Sequence, residues 1–168
     1  MRLVKHFTRV LSAAAILAGP WVVGMAQTAA SLTVGGAVER PLTLQMADLE
    51  KMPHVRVDVK DHDGSAATYE GVLLAELLKS AGATMGEKMR GGNMASYVLA
   101  EAKDGYRVIF ALPELDAGFT DSPVIVAWAR NGKPLAETQG PLKIIAPQDK
   151  RPARWIRMVQ KIEVVKVP

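Results

Sequence analysis

G-P-L-K-I-I-A-P-Q-D-K-R-P-A-R-W-I-R-M-V-Q-K, residues 140–161, is the stretch on which the reading of this chain turns. It opens on a Gly-Pro turn, and residues 142–146 read as a short buried strand that Pro147 ends. Residues 148–158 then carry Lys150, Arg151, Arg154 and Arg157 against one acid, Asp149. Cations this close repel one another unless an anion or a carboxylate shares the site. Three of the four are arginine, whose planar fork suits bidentate contact with phosphate or carboxylate. Trp155 lies among them and offers an aromatic face for stacking. The stretch is therefore either a receptor for a flat anionic cofactor or a solvated basic turn leading into an edge strand.

Outward from it, the chain reads as many short strands with few helices. Residues 31–38 alternate as a first strand, with Gly35 and Gly36 marking a bend, and 41–44 form a second. A brief helix over 46–52 is favoured by Asp48 and Glu50 in its first turns and closed by Pro53. Val55, Val57 and Val59 recur at period two, the mark of a half-buried strand over 54–60. The run D-H-D-G-S at 61–65 is a turn by composition. The pattern predicts the surest helix over 72–81, with Leu73, Leu74, Leu77 and Leu78 as its core stripe and Gly82 as its C-terminal cap. Strands over 97–102 and 106–112 join across Lys103-Asp104-Gly105, residues 113–117 form one helical turn at most, and 124–129 is a buried strand before the Asn131-Gly132 turn. Residues 159–167 alternate as a last strand. This is an α+β pattern in a single domain.

The basic stretch resembles the C-terminal signature of the sulfite-oxidase-type molybdopterin-binding family, above all its short, single-domain periplasmic members. That signature runs G-P-L-[RK]-[LI]-[VI]-x-P-x-D-K-R-x-A-R-W-[VI]-R, and residues 140–157 follow it almost throughout. Weaker pieces agree: Y-E-G-V at 69–72 before a leucine-rich helix, D-G-Y at 104–106 and N-G-K-P-L at 131–135. The resemblance spans residues 32–167. It implies a mixed, strand-rich α+β domain and a pterin or molybdopterin ligand. It also implies that the basic residues after the strand hold the phosphate end, with Arg154 and Arg157 first and Lys150 and Arg151 next. A pterin ring needs a stacking partner, for which Trp155 leads Phe119 and Tyr69. Its amino-pyrimidinone edge needs a carboxylate, from Glu114 and Asp121 flanking the 112–122 loop or from Asp149. Asp149 reads equally well as a partner that quiets Lys150 and Arg151.

At the other end, Arg2, Lys5 and Arg9 precede an apolar run broken by Gly19-Pro20, and Gly24-Met25-Ala26 supplies the small residues of a cleavage site. This predicts a secretory signal peptide over 1–26 cut after Ala26, hence a periplasmic protein, because the run falls short of the about 20 residues of a spanning helix. The expected mature domain, 27–168, has a length suited to one core. It holds all 17 acids and all but three of the 21 Lys and Arg, so it is nearly neutral. The charge is uneven within it. Residues 143–168 hold seven basic groups and two acids, while 27–142 are net acidic. A local basic end predicts a defined anion site and argues against nucleic acid, which goes with a basic face across a whole domain.

There is no cysteine. That excludes disulfides, thiolate catalysis and cysteine-ligated metals. In the redox enzymes of the family that this chain resembles, a cysteine in the loop after the strand matching 54–60 ligates molybdenum. Here the loop is K-D-H-D-G-S-A-A-T, and neither Asp61 nor His62 is an equivalent soft ligand. The resemblance with its missing thiolate implies a periplasmic pterin-binding module, a sensor or carrier that addresses a membrane signalling or redox protein. The alternative is a molybdopterin-dependent oxidoreductase or a subunit of one. A second alternative is copper(I) binding by Met85, Met89 and Met94. No Ser–His–Asp set and no Walker or Rossmann glycine loop is present.

Overall fold

The computed structural model describes residues 31–61 and 63–167. The expected signal peptide, His62 and Pro168 lie outside the described residues. In chain order the elements are β1 (Ser31–Gly36), β2 (Leu42–Gln45), α1 (Met46–Leu49), β3 (His54–Lys60), β4 (Ala66–Leu73), α2 (Leu74–Ser80), β5 (Tyr97–Ala102), β6 (Arg107–Ala111), β7 (Ile125–Arg130), β8 (Lys133–Pro134), β9 (Lys143–Ile145) and β10 (Val159–Val165). Short 3₁₀ turns at Gly86–Lys88, Gly91–Ala95, Leu112–Leu115 and Pro152–Arg154 fill the connections.

The strands form two sheets. One has the order β2-β1-β10-β5-β6, and in it the first and last strands lie side by side in parallel. The other runs β3-β4-β7-β8, with β9 also on β7. Alternation along each strand supplies one apolar face: Leu32 and Val34 in β1, Val98 and Ala100 in β5, Val108 and Phe110 in β6. Those faces, with Leu74, Leu77 and Leu78 of α2, make one continuous core that draws on both sheets. The α+β domain expected from the sequence is the one observed.

Two local expectations are corrected. The helix expected over 72–81 starts only at Leu74, because Val72 and Leu73 continue β4 and pair with Val126 and Ile125 of β7. Strand pairing on both flanks supplies hydrogen bonds and burial that outweigh the helix propensity of a short leucine run. The end of the helix is as expected, with Gly82 at φ 76° accepting the left-handed turn there. The three-methionine set is also split between core and surface. Met85 and Met89 are buried in the core while Met94 is 41% exposed, so the three are not presented together at the surface as an open copper-binding loop would have them.

The connection from β9 to β10 carries the basic loop. It leaves one sheet, folds back on β9 and enters the other. Ile144 N–H donates to Ile156 O, Val159 N–H to Leu142 O and Met158 N–H to Gln139 O, and Lys143 and Arg157 form an isolated bridge. The loop is therefore tied at its end to the strand from which it departs.

Candidate functional site

β9 is buried throughout, yet its first residue is a lysine. Lys143 is 5% exposed. Its ammonium donates to Gln139 Oε1 at 2.7 Å and, at 3.4 Å, to Tyr69 Oη. It also lies over the rings of Tyr69 and Trp155, 5.2 and 5.8 Å from their centroids. It forms no ion pair among the described residues. Burial holds its pKa below the ordinary lysine range; Asp61 opposes that shift, and Arg130 and Arg157 reinforce it.

Around Lys143 the two sheet neighbours β4 and β7 add a second layer. Tyr69 and Arg130 face each other across the ladder. The Tyr69 hydroxyl donates to Asp61 Oδ2 at 2.9 Å, and Arg130 Nε lies 3.1 Å from the same oxygen. That second approach is an ion pair without hydrogen-bond alignment, so Arg130 Nε is a buried donor with no hydrogen-bond partner among the described residues. Two hollows meet at Asp61 and Gln139. One, of about 190 Å³, is lined by Lys143, Pro152, Trp155 and Arg157, and the other, of about 340 Å³, by Asp63, Tyr69, Arg130 and Lys133. A third of about 270 Å³ shares Pro152, Trp155 and Arg157 and opens past Tyr106. The first two hollows collect four cations, Arg130, Lys133, Lys143 and Arg157, against the carboxylates of Asp61 and Asp63. A buried ammonium with no ion pair among the described residues, and a buried guanidinium N–H whose nearby carboxylate is not aligned to accept it, fit an anionic ligand.

Burial and the Asp61 hydrogen bond raise the Tyr69 pKa from 10.0 to about 12. The folded state therefore retains a proton that the unfolded chain loses, and the contribution of Tyr69 to stability is full below pH 10.0 and is lost as pH rises towards about 12. The expected slope is about 1.4 kcal/mol per pH unit. Urea unfolding across that window should show a steeper loss for wild type than for Tyr69→Phe. Parallel curves would mean that Tyr69 titrates normally.

The residues singled out by sequence are distributed over this region and beyond it. Arg157 is exposed and lines the hollows beside Lys143 and Tyr106. Trp155 is a wall rather than a stacking plate. It is 6% exposed, donates its indole N–H to Ala146 O at 2.9 Å and meets Tyr69 edge-on at 6.2 Å. Tyr69 is 1% exposed and presents its hydroxyl rather than its face.

Arg154 turns to carboxylates of its own chain. Nε and Nη2 bind Asp149 Oδ2 and Oδ1 at 2.9 and 2.6 Å, and Nη1 binds Glu114 Oε1 at 2.8 Å. These bonds, the Asp149 one foremost, hold its pKa above the arginine range. Asp149 and Glu114 are thereby committed to Arg154, not to Lys150 or Arg151 and not to a ligand edge. Lys150 and Arg151 are exposed and make no ion pair among the described residues. Asp121 lines a separate hollow with Leu73, Glu76 and Lys79, and Phe119 is 51% exposed on the same loop.

Sequence reasoning missed Lys143, Gln139, Arg130 and Asp61 as site residues. One signal was available: a lysine inside L-K-I-I-A has no place in a buried strand unless something answers its charge.

Comparison with known proteins agrees with the architecture. The sulfane dehydrogenase SoxCD from Paracoccus pantotrophus has a similar fold, with a TM-score of 0.63 at 19% identity over 80% of this chain. The match covers 37% of that protein's chain, so this chain spans little more than a third of its length. No curated protein matches in sequence. Residues 56–168, which carry β4, the Lys143 strand and the whole basic loop, match the model of the oxidoreductase molybdopterin binding domain, and the chain belongs to that family.

Proposed function

We propose that this domain holds a pterin by its anionic end and acts as a binding module rather than as a metal-centred catalyst. The observation that carries the reading is Lys143, buried with no ion pair among the described residues and within the fields of Arg130 and Arg157, in a chain with no cysteine. Lys143 and Arg157 would hold phosphate oxygens from one hollow and Arg130 from the other, while Gln139 offers an amide to either. Trp155 and Tyr69 keep water from the inner wall and so strengthen each charged contact. When bound, a molybdopterin supplies redox chemistry through its metal, and this chain offers that metal no thiolate. The residues fit the phosphate end of the group and not its sulfur-ligated metal end.

The module is further proposed to work in the periplasm, on the strength of the cationic and apolar N-terminal run. There it would report ligand occupancy to a membrane signalling or redox protein. A second reading, an oxidoreductase or a subunit of one, is supported by the family's description and by the fold shared with a dehydrogenase.

One preparation separates the two. Protein isolated from its native source is denatured, and the released small molecules and the molybdenum content are measured on the same sample. Pterin without molybdenum is the expected result. Molybdenum at about one per chain would replace this reading with the oxidoreductase, and absence of any pterin would overturn pterin binding itself.

A further inference from the structure

The basic loop is the part of the site least anchored by regular structure, and one side chain holds most of it. Arg154 ends the Pro152–Arg154 turn, immediately before Trp155. Its guanidinium clasps Asp149 at the start of the same loop and Glu114 in the turn after β6. It also reaches Ile109 O at 3.3 Å and stacks on the Phe110 ring at 4.5 Å. Glu114 is itself pinned, accepting from Ala111 N–H at 2.9 Å. The only other side-chain tie across this gap among the described residues is the Tyr106 hydroxyl on Ala153 O, at 2.9 Å.

We infer that Arg154 is a positioning residue: it buckles the 147–155 loop to β6, and so sets Pro152, Trp155 and Arg157 around the hollow that Lys143 serves. It does not itself touch the anion. The three directed carboxylate bonds leave its fork no free bidentate edge, and its Asp149–Glu114 side lines a different hollow, with Thr120, Ser122 and Pro147. This inference rests on the anion site proposed above, and it reverses the role that the family resemblance implies for Arg154.

The two roles predict opposite signs for the carboxylates. A direct anion ligand competes with Asp149 and Glu114 for its guanidinium, so removing either carboxylate strengthens binding. A buckle needs both, so Asp149→Asn and Glu114→Gln weaken binding although neither carboxylate can attract an anion. The probe is neopterin monophosphate, followed by its own fluorescence. We expect affinity to fall about fivefold or more in each variant, and Glu114→Gln to add little once Arg154→Ala is present. Unchanged or tighter binding by Asp149→Asn and Glu114→Gln overturns the inference.

A second readout needs no ligand. Trypsin cannot readily cut between Arg151 and Pro152, and Arg154→Ala removes the bond after residue 154, so the Lys150–Arg151 bond, present in wild type and every variant, is the reporter of loop opening. Cleavage there, located by mass spectrometry, should be at least tenfold faster in Arg154→Ala, Asp149→Asn and Glu114→Gln than in wild type, with melting temperatures recorded to separate local from global opening. Equal cleavage rates overturn the buckle. A wild-type chain that binds no pterin phosphate would sink the anion site alone, and the tryptic result would still decide the loop.

Discussion

Lys143→Met is expected to weaken binding of a pterin phosphate by about tenfold to a hundredfold, the worth of a hydrogen bond to a charged group at ~1.5–3 kcal/mol. The fold should meanwhile be as stable as wild type, or more so. The two effects share one cause. A buried ammonium with no ion pair among the described residues is destabilising until an anion arrives, and methionine fills similar volume without the charge. The same burial sets the sign with pH. The folded pKa lies below the free-lysine value of 10.5, so over the interval between them the unfolded chain binds the extra proton and wild type gains stability as pH rises to 10.5. The stability difference between Lys143→Met and wild type should therefore shrink towards that pH. Fluorescence titration and thermal melts on the same samples check both halves. Unaltered affinity would remove Lys143 from the site, and a large loss of stability would show that its bonds to Gln139 and Tyr69 outweigh its burial.

Gly71→Ala should destabilise the domain by about 3 kcal/mol or more, at the upper end of overpacking effects. A Cβ at this position would sit against the Val126 carbonyl oxygen, 2.7 Å from its carbon and 2.6 Å from Ala127 Cα. Those are backbone atoms of β7, which is held by β4 on one side and by β8 and β9 on the other, so the neighbour cannot swing away. The pairing register shifts between Glu70 and Gly71, and the missing side chain allows the two backbones to close over that irregularity. Urea unfolding is the measurement, with Gly35→Ala as the control because a Cβ there meets nothing within 4 Å. A midpoint equal to the control's would mean that β4 and β7 can separate without cost. Because β4 also carries Tyr69 and β7 carries Arg130, any surviving Gly71→Ala fold should bind the pterin phosphate more weakly.

Much of the architecture was local and therefore legible. Val55, Val57 and Val59 mark β3 whatever surrounds it, and Gly82 ends α2 because only glycine takes that backbone angle freely. The family signature put the basic loop in the right place, directly after a buried strand. It did not assign the cations within it. Arg154 stands in the signature as readily as Arg157 does, but a carboxylate five residues away and another forty residues away claim it. Trp155 looked like a plate, and its indole faces inward because Ala146 O offers its N–H a partner.

By itself, then, the sequence determined the strand-rich α+β class, the family, the absence of thiolate chemistry and the location of a cationic loop. Each of these depends on residue type and near-neighbour spacing. Only the tertiary structure decided which cations line the hollows. That choice depends on Asp61, Tyr69 and Arg130, which come to the surroundings of Lys143 from separate stretches of the chain. Charge is a property of a residue, but whether that charge is already answered is a property of the fold.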